Sequence, residues 1–463
     1  MELERLVAAL APVDVVASAP VEVAELAYDA RAVEPGALFF CVPGQRADGH
    51  QFAPEAVSRG AAALVVERPL DVAVPQLVVR DARAAMAVAA DAFFDHPSRE
   101  LQVAGVTGTN GKTTTAHLLY AILESAGRRP GLLGNIERRV GSEVRAAALN
   151  TPEAIDLHRL FREMLDAGDR SCAMEASSHA SALHRLDRVC FSALVFTNLG
   201  REHLDFHGTM ESYFEAKRRL FAEGAPPAAI SLDDEWGRRL AAERPDALTF
   251  GFARDAAVRP ADLDGIELKL RGRFNVANAL GALAAARLLG IDDVTAARGL
   301  EGVEGVPGRF ESVDEGQPFA VIVDYSHKPD ALANVLAAAR DLATGRVLCV
   351  FGCGGDRDRT KRPVMGRLAS ELADVAIVTS DNPRSEDPDA IIAEVVAGTG
   401  GGLKVEPDRR AAIERALELA GEGDVVLIAG KGHEQGQQFA ERTIPFDDRE
   451  VAREALRRLG AAA

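Results

Sequence analysis

The sequence predicts an α/β protein of three domains in which the sheets are mainly parallel. Short apolar runs with strand character alternate with Ala- and Leu-rich helical stretches along most of the 463 residues, and this alternation predicts parallel strands covered by helices. A chain of this length is long enough for several domains. Many predicted strands run directly into polar loops, and ligands of open α/β sheets bind at such strand ends.

The chain divides into three predicted domains. The first covers residues 1–98 and ends at the breaker Asp-His-Pro-Ser. The second covers residues 99–308 and the third covers residues 309–463. The strand candidates are residues 37–42, 63–66 and 76–79 in the first domain, 101–106, 171–175, 193–197 and 228–232 in the second, and 320–324, 346–351, 375–379 and 425–429 in the third.

Composition and charge narrow the classes of partner. The formal net charge of −17 argues against nucleic acid, whose backbone needs a basic surface, but leaves room for a small anionic ligand. Five scattered cysteines suit neither a disulfide framework nor a zinc site, and they favour a reducing cytoplasm. The chain has no basic, apolar leader and no apolar run of ~18–20 residues. We therefore expect a cytoplasmic protein without a membrane helix.

The sharpest local signal is a glycine-rich turn between a predicted strand and a helix predicted from residue 113 to about residue 126. Glycines let the backbone wrap phosphates, and the helix start offers free N–H groups. Lys112 would reach the β- and γ-phosphates, and the Thr113 hydroxyl would ligate Mg²⁺. Val106 stands where the general pattern has its first glycine, and a chance Gly-Lys-Thr is the competing interpretation. The turn comprises Gly108, Thr109, Asn110, Gly111, Lys112, Thr113 and Thr114.

Charged residues and histidines follow the next strands of the second domain. Glu175 ends a predicted strand, and its carboxylate suits a Mg²⁺ site and a helix cap equally well. His203 and His207 are spaced for a zinc pair on a helix, although a nearby glycine argues against a continuous helix, and we favour His203 for a role near a metal. Lys217 lies in a predicted amphipathic helix whose basic residues are expected on a solvated face.

Four polar loops follow four predicted strands of the third domain. They cover residues 324–330, 352–358, 381–384 and 430–434. The carboxyl ends of parallel strands lie at one edge of a sheet, so we expect these loops to converge. Residues 352–358 are rich in glycine and are suited to an anion-binding nest of backbone amides. The competing interpretation is ordinary loops with capping residues.

Together these motifs resemble the Mur ligases, a family of three-domain enzymes that form amide bonds with ATP. Residues 107–114 are similar to the family's ATP loop, and residues 324–330 to its D-Y-[AS]-H-x-P motif. Asn275 and Asn278 look like its asparagine-bearing helix, and Arg309 like its hinge arginine. The resemblance covers nearly the whole chain. It implies an N-terminal α/β uridine-binding domain, a central P-loop-type ATPase domain with a mainly parallel sheet, and a C-terminal Rossmann-like domain for the amino acid.

The branch of the family that adds the third peptide residue is matched best, through residues 175–179, 197–208 and 430–434. Residues 381–384, Asp-Asn-Pro-Arg, resemble the type that adds meso-diaminopimelate, whereas lysine-adding members usually lack the arginine. The resemblance implies an ADP-producing ligase that joins meso-diaminopimelate to UDP-N-acetylmuramoyl-L-alanyl-D-glutamate through an acyl phosphate, in peptidoglycan synthesis. A lysine-adding ligase, a non-catalytic nucleotide-binding homologue and a phosphotransferase that stops at the phosphate remain alternatives.

The roles known in the family carry over to individual positions. Lys112, Glu175, His203 and Lys217 would be catalytic, and Thr113, Glu175, His203 and a carbamylated Lys217 would surround Mg²⁺. ATP would also be held by Asn275, Asn278, Arg309, Asp324 and His327. The UDP-sugar peptide would contact Tyr28, Ala30, Gln45, Arg46, Ala47, Asn150, Thr151, Ser177 and Arg185. Diaminopimelate would contact Arg357, Asp381, Asn382, Pro383, Arg384, Gly430 and Glu434, with Arg384 on its distal carboxylate and Glu434 on its distal ammonium.

Four departures from the family's pattern stand out. Ala30 occupies a position where serine is usual, and Asn150 and Lys328 occupy positions where threonine is common. Residues 254–267 are shorter than usual, so part of the edge of the central sheet is expected to be absent. None of these departures falls on the phosphate loop, the predicted metal residues or residues 381–384. We expect the protein to be a monomer.

Overall fold

The structure is a computed structural model that describes residues 1–17, 19–44, 47–147, 149–222 and 226–462. The chain forms two compact units. One unit comprises Met1–Arg259 and Gly281–Gly299, and the other comprises Pro260–Leu280 and Leu300–Ala463. Among the described residues, no helix is both long and apolar enough to cross a membrane. The domain boundaries near residues 98 and 308 stay predictions.

The beginning of the chain forms a small sheet covered by helices. Its strands are β1 Asp14–Val16, β2 Glu25–Ala27, β3 Ala37–Phe40, β4 Ala63–Val66 and β5 Gln76–Val78. Its helices are α1 Leu3–Leu10, α2 Ala53–Ser58, α3 Ala82–Phe93 and α4 Pro97–Glu100. The strand order is β1-β5-β4-β3-β2, and all pairs are parallel except β1 with β5. Leu38 and Phe40 are buried on one face and Phe39 on the other, which explains the continuous apolar run.

A larger sheet follows and carries the phosphate-binding turn. Its strands are β6 Gln102–Thr107, β7 Pro130–Leu133, β8 Glu137–Val140, β9 Glu143–Ala146, β10 Ser171–Glu175, β11 Phe191–Phe196, β12 Ala228–Ser231 and β13 Leu248–Phe250. The accompanying helices are α5 Lys112–Ser125, α6 Ala154–Ala167, α7 Ser178–Ala182, α8 Leu204–His207, α9 Met210–Arg218 and α10 Glu235–Glu243. Further along the chain come α11 Arg273–Leu288, which belongs to this unit from Gly281 onward, and α12 Asp293–Glu301.

The register of this sheet places the predicted site residues at one edge. The strand order is β13-β12-β11-β6-β10-β7-β8-β9. In the central parallel strands, Glu175 pairs with Val106 and Phe196 pairs with Thr107, so three strands end at the same level. Their loops therefore leave from a common edge. The short strand β13 is one of the two outermost strands of the sheet, and its Phe250 forms one further bridge, to Val258.

The second unit contains a third sheet. Its strands are β14 Glu311–Ser312, β15 Ala320–Asp324, β16 Val347–Phe351, β17 Val375–Val378, β18 Leu403–Val405 and β19 Val425–Ala429, and a separate hairpin is formed by β20 Gly436–Gln438 and β21 Thr443–Pro445. Its helices are α13 Pro329–Leu342, α14 Lys361–Leu372, α15 Pro388–Val396, α16 Arg409–Leu419 and α17 Asp448–Ala462. The order is β14-β15-β19-β16-β17-β18. Asp324 pairs with Ala429 and Phe351 with Val378, so the four polar loops leave from one edge, as the sequence predicts.

Helix α9 forms where an amphipathic helix is predicted, but the predicted exposure of Lys217 is wrong. The residue is 1% exposed, and its ammonium lies 4.9 Å from the ring centroid of Tyr213. Residues four apart share a helix face, so Lys217 follows Tyr213 into the interior. Arg219, just beyond the helix, remains exposed.

His158 on α6 is expected to set part of the pH dependence of stability. Its ring is buried, with Nδ1 3.9 Å from Asp91 Oδ1. Burial lowers its pKa from 6.5 to about 4, which Asp91 opposes only in part. Between these pH values the unfolded chain binds the proton more readily, so stability falls by about 3 kcal/mol as the pH drops through the window. The melting temperature of the parent protein should therefore decline between pH 6.5 and pH 4. We expect this decline to be smaller in the His158→Phe variant.

The partly exposed histidine His184 provides the control, because its side chain is 30% exposed. His184→Gln should keep the decline of the parent protein. An equal decline in the His158→Phe variant and the parent would contradict the assignment of this pH dependence to His158.

Candidate active site

The loop after β6 has the conformation of a phosphate-binding turn. Gly108 has a φ of 144°, and a Cβ there would lie 1.9 Å from Thr197 Oγ1, so a larger residue does not fit. Gly111, with a φ of 85°, precedes the first residue of α5. Thr197 Oγ1 donates to Asn110 O at 2.7 Å, and Asn110 N donates to Asn198 Oδ1 at 2.9 Å. The end of β11 thus fixes a loop that presents the start of α5 to an anion.

Two lysines bind the carbonyl oxygens of this loop. Lys112 Nζ donates to Gly108 O and to Thr109 O, both at 2.9 Å. Lys217 Nζ donates to the same Gly108 O at 2.8 Å and to Thr107 Oγ1 at 3.4 Å. Two ammonium groups on one carbonyl oxygen repel each other, and a polyphosphate beside them would relieve that repulsion. The arrangement favours a polyanionic ligand.

Thr113 and Glu175 form an oxygen-rich site beside the loop. Thr113 Oγ1 donates to Glu175 Oε1 at 2.9 Å, and Asn135 N donates to the same oxygen at 3.0 Å. Helix α7 is capped by Ser177, so the capping interpretation of Glu175 is not supported. In the part of the chain that is described, no three His, Cys, Asp or Glu side chains form a metal-binding group. Mg²⁺ uses few protein carboxylates together with nucleotide phosphates, and Thr113 and Glu175 fit that requirement.

Three histidines pack together near the loop. The ring centroid of His179 lies 4.6 Å from that of His203 and 5.4 Å from that of His207, and His207 stacks on Tyr213 at 5.0 Å. Burial lowers the pKa of His179, and it lowers that of His207 to about 4. His207 Nε2 shares a hydrogen bond of 3.0 Å with Ser178 Oγ, so a zinc pair of His203 and His207 is not supported.

Tyr213 joins these histidines to the phosphate loop. Its hydroxyl shares a hydrogen bond of 3.0 Å with Thr109 Oγ1, and its ring lies 5.9 Å from that of His203. The Lys217 ammonium lies over the same ring. Burial raises the pKa of the Tyr213 phenol, which therefore stays protonated. The structure thus brings His203 and Lys217 to the loop through Tyr213, and Glu175 through Thr113.

The residues predicted to contact the substrate peptide form one group behind Glu175. Thr151 Oγ1 donates to Glu175 O at 2.9 Å and accepts from Ser177 N at 3.3 Å. Arg185 donates from Nη1 to Thr151 O at 3.2 Å and pairs through Nη2 with Glu153 Oε1 at 2.6 Å. Hydroxyl and guanidinium donors therefore stand together where a carboxylate substrate could bind.

The other residues predicted to contact the UDP-sugar peptide lie at Tyr28, Ala30, Ala47 and Asn150 among the described residues. The Tyr28 hydroxyl donates to Asp156 Oδ2 of α6 at 2.6 Å, and burial raises the pKa of this phenol. Ala30 is buried, whereas Ala47 and Asn150 are exposed. Gln45 and Arg46 lie outside the described residues. The structure therefore records a hydrogen bond between Tyr28 and α6, and the contact of these residues with the substrate stays a prediction.

Asp324 and two asparagines are the buried polar residues predicted for ATP in the second unit. Asp324 accepts from Phe310 N at 2.7 Å and from Ser326 N at 2.8 Å, and burial raises its pKa. On α11, Asn278 Nδ2 donates to Asn275 Oδ1 at 3.1 Å. Asp324 thus fixes the two chain segments around it, and the asparagines form a local pair.

Flat side chains cluster around Tyr325, the residue that follows Asp324; the His327 ring meets the Tyr325 ring edge-on, and the His433 ring is tilted against it. The Arg309 guanidinium is 4.5 Å from the ring centroid of Tyr325. The rings of His327 and His433 lie 4.7 Å and 5.0 Å from the same centroid. Such faces are suited to stacking against a purine.

Asn382 lies at the centre of a second network in this unit. Its Oδ1 accepts from Lys431 Nζ and from Gln438 N, both at 2.9 Å, and its Nδ2 donates to Glu434 Oε2 at 2.7 Å. Lys431 is buried and also lies 3.3 Å from Glu434 Oε2. The two donors on Oδ1 fix the orientation of the amide. An amide, a cation and an acid are therefore held together at the ends of β17 and β19.

Arg384 joins the same network with an unusual backbone conformation. Its φ is 53°, and its N donates to Gln438 O at 3.0 Å. Nη1 donates to Gly355 O at 2.6 Å, and a Cβ on Gly354 would lie 2.9 Å from this nitrogen. Arg357 is exposed, so the structure does not tie it to the network. Arg384 is half-buried, and its guanidinium is fixed at Gly355, whose N donates to Asn382 O at 2.9 Å.

Asp381 and Pro383 complete residues 381–384. Asp381 Oδ1 accepts from Asn382 N at 2.6 Å, and a Cβ on Gly430 would lie 2.5 Å from Oδ2. Gly430 has a φ of 125° and permits this close approach. Pro383 is buried, and a Cβ on Gly355 would lie 1.9 Å from its carbonyl oxygen. These glycines let the loops after β16 and β19 close around Asp381.

Three residues of these networks were not identified as site residues from the sequence. Lys431 lies between two glycines in the predicted polar loop 430–434. A lysine flanked by glycines in such a loop was the signal that could have marked it as a site residue. Tyr213 lies four residues before Lys217, which marks it as a neighbour on the same helix face. Asn135 acts through its backbone N–H, for which the side chains give no signal.

Three family models match the chain. The Mur ligase family catalytic domain matches residues 22–110, the Mur ligase middle domain residues 106–286, and the Mur ligase glutamate ligase domain residues 308–432. The fold and the site define an ATP-dependent enzyme that forms amide bonds. The chain belongs to the Mur ligase family.

Close relatives match over nearly their whole length. The UDP-N-acetylmuramoyl-L-alanyl-D-glutamate--2,6-diaminopimelate ligase of Solibacter usitatus (strain Ellin6076) is 48% identical over 96% of this chain and 95% of its own. The protein of the same name from Listeria innocua serovar 6a is 42% identical over 100% of both chains. A solved structure with that name is 31% identical, with a TM-score of 0.66 over 95% of this chain and 96% of its own. MurF ligase from Thermotoga maritima in complex with ADP, 21% identical with a TM-score of 0.63 over 95% and 98%, shares the fold.

Proposed function

We propose that this enzyme adds meso-2,6-diaminopimelate to UDP-N-acetylmuramoyl-L-alanyl-D-glutamate in peptidoglycan synthesis, with ATP as co-substrate. The observation that carries the proposal is a chain of hydrogen bonds that runs from Arg384 to two carboxylates. The Arg384 guanidinium donates to Gly355 O, and Gly355 N donates to Asn382 O. Asn382 in turn donates from its side chain to Glu434 and from its backbone N to Asp381. The distal end of diaminopimelate carries both an ammonium and a carboxylate, whereas lysine carries the ammonium alone. A site with both charges therefore favours diaminopimelate. The relatives that are 48% and 42% identical carry the name of this activity.

The proposed reaction has two steps. A γ-carboxylate oxygen of the D-glutamate residue attacks the γ-phosphorus of ATP, the bond from this phosphorus to the β–γ bridging oxygen breaks, and ADP leaves. The amine of diaminopimelate then attacks the acyl carbon, loses a proton and expels inorganic phosphate. Lys112 and the N–H groups at the start of α5 would neutralise the transferring group. Thr151, Ser177 and Arg185 would hold the acid substrate.

Mg²⁺ is part of this proposal as the cation that accompanies the nucleotide. Thr113 and Glu175 would hold it, together with His203 and a carbamylated Lys217. When bound, the ion would neutralise phosphate charge. Carbamylation would turn the buried Lys217 ammonium into an anion. It would thereby remove the repulsion from Lys112, which shares the acceptor Gly108 O.

Removing the charge of Glu175 is expected to impair the enzyme without unfolding it. In Glu175→Gln the amide oxygen can still accept from Thr113 and Asn135, so the local geometry should persist. We expect activity to fall by roughly a hundredfold or more and the Mg²⁺ requirement to rise, because a metal-bound carboxylate is lost. Phosphate release measured across a Mg²⁺ titration tests this expectation.

Glu371→Gln, an exposed change on α14, is the matched control and should behave like the parent enzyme. A Glu175→Gln enzyme with full activity at every Mg²⁺ concentration would show that Glu175 holds no metal.

The proposed specificity is tested by phosphate release from ATP with the UDP-linked dipeptide and one amino acid at a time. We expect release that depends on meso-diaminopimelate and not on lysine. Release with lysine instead would mean that Arg384 does not select the substrate. No release with any amino acid would reject the ligase function for this chain.

We also propose that the enzyme acts as a monomer in the cytoplasm. Its five cysteines are free thiols, and all except Cys190 are buried. Burial raises the pKa of the Cys172 and Cys349 thiols, so they stay protonated and unreactive. Light scattering during size-exclusion chromatography would test the oligomeric state.

A further inference from the structure

A buried ion pair lies directly behind the proposed amino-acid site. Arg409 begins α16 and Asp448 begins α17, and neither side chain is exposed. Arg409 donates from Nε to Asp448 Oδ1 at 2.8 Å and from Nη2 to Asp448 Oδ2 at 2.6 Å. Nη2 also donates to Ala429 O at 3.1 Å, at the end of β19. Apolar residues of similar volume often replace a buried ion pair without loss of stability, so stability alone does not explain the charges.

Arg409 and Asp381 approach the same point on the backbone. A Cβ built on Gly430 would lie 2.5 Å from Asp381 Oδ2 and 3.6 Å from Arg409 Nη2. Within the described residues, Asp381 Oδ2 and Arg409 Nη1 are buried and have no hydrogen-bond partner. A buried carboxylate oxygen without a donor is costly unless a ligand supplies one. Asp381 therefore has an acceptor available for a ligand, with a guanidinium behind it.

The charges around Asp381 determine whether its carboxyl group is ionised. Burial alone raises the pKa of Asp381, but Arg409 opposes it most strongly, followed by Lys431 and His327, and the result lies below the ordinary value. The other acid of the network, Glu434, is paired with Lys431. The Asp448 carboxylate accepts hydrogen bonds from Arg409 Nε and Nη2. Arg409 thus supplies the largest favourable charge at Asp381.

We propose that Arg409 is a positioning residue for the amino-acid site: clamped by Asp448, it holds the Asp381 carboxylate as an anion whose second oxygen accepts a hydrogen bond from an ammonium group of the incoming diamino acid. The inference rests on the proposed function, because that function supplies the diamino substrate that Asp381 would bind. It assigns a role in substrate binding to Arg409, whose hydrogen bonds go to Asp448 and to Ala429 O.

The test replaces the pair by apolar residues, Arg409→Met with Asp448→Leu, in the full-length enzyme. We expect the variant to fold, the KM for diaminopimelate to rise by roughly ten- to a hundredfold, and the KM for ATP to stay unchanged. Without the guanidinium the pKa of Asp381 rises, so the KM for diaminopimelate should fall as the pH is raised, which the parent enzyme should not show. A purely structural pair would not produce this pH profile.

The neighbouring exposed pair provides a matched control on the same two helices. Arg410 pairs with Glu454 at 2.7 Å, and Arg410→Met with Glu454→Leu should leave every KM unchanged. If the apolar pair does not fold, Arg409→Gln with Asp448→Asn is measured in the same way. It removes both charges and leaves a polar pair that can keep the hydrogen bond now made by Arg409 Nε. A folded, neutral variant with the KM and pH profile of the parent would overturn the proposal. A parent enzyme that releases no phosphate with diaminopimelate would instead reject the function itself.

Discussion

Lys112→Ala is expected to reduce ligation by roughly a thousandfold or more, about 4 kcal/mol of transition-state stabilisation. Lys112 is placed by Gly108 O and Thr109 O at the start of α5, where the transferring phosphoryl group would lie. Alanine keeps the helix start and removes the cation. Because the charge on the phosphoryl oxygens is spread in the transition state, the loss should appear mainly in kcat. Phosphate release at saturating substrates measures it.

Lys404→Ala, on the exposed strand β18, is the control for loss of a positive charge and should retain parental rates. Melting temperatures of both variants should match that of the parent. Full activity of Lys112→Ala would contradict the assignment of residues 108–114 as the ATP loop.

Arg384→Asn is expected to raise the KM for diaminopimelate by roughly a hundredfold, about 3 kcal/mol, while the KM for ATP stays unchanged. Arg384 has a left-handed backbone with a φ of 53°, and asparagine tolerates that conformation better than most residues. The change therefore removes the guanidinium without adding backbone strain. Its loss leaves the distal carboxylate of the substrate without its charged partner. Initial rates over a range of diaminopimelate concentrations give this KM.

The exposed Arg367→Asn on α14 controls for loss of an arginine on the same unit. In the Arg384→Asn enzyme the KM for diaminopimelate should rise more than the KM for lysine. Lysine has no distal carboxylate, so it loses no contact when the guanidinium is removed. An unchanged ratio of the two KM values would show that Arg384 does not read the distal carboxylate.

The parts of the site that lie next to strand ends could be predicted from the sequence. The turn at residues 108–114 needs glycines, a lysine and a hydroxyl at fixed positions, and Glu175 closes a clear apolar strand. The parallel direction of these strands follows from their burial on both faces, whereas the pairing of Glu175 with Val106 is seen only in the structure. Local chemistry and strand order were sufficient for these features.

Features that depend on distant contacts could not be predicted. The burial of Lys217 depends on packing of α9 onto the loop, and a helical pattern alone places a lysine in solvent. The convergence of the loops that carry Asn382 and Glu434 was predicted, but the specific hydrogen bonds through Lys431, across 49 residues, were not. The hairpin of β8 and β9 has a charged sequence, and β9 is exposed along its whole length, so hydrophobic periodicity does not reveal the hairpin.

The measurement that tests the central claim most directly uses substrate labelled with ¹⁸O in the γ-carboxylate of its D-glutamate residue. If ATP activates this carboxylate as an acyl phosphate and diaminopimelate displaces the phosphate, one labelled oxygen must pass to inorganic phosphate and the other must remain in the new amide. Mass spectrometry of the phosphate and of the tripeptide product measures both. Phosphate without label would contradict the account, because ATP would then be cleaved by water and not by the substrate carboxylate.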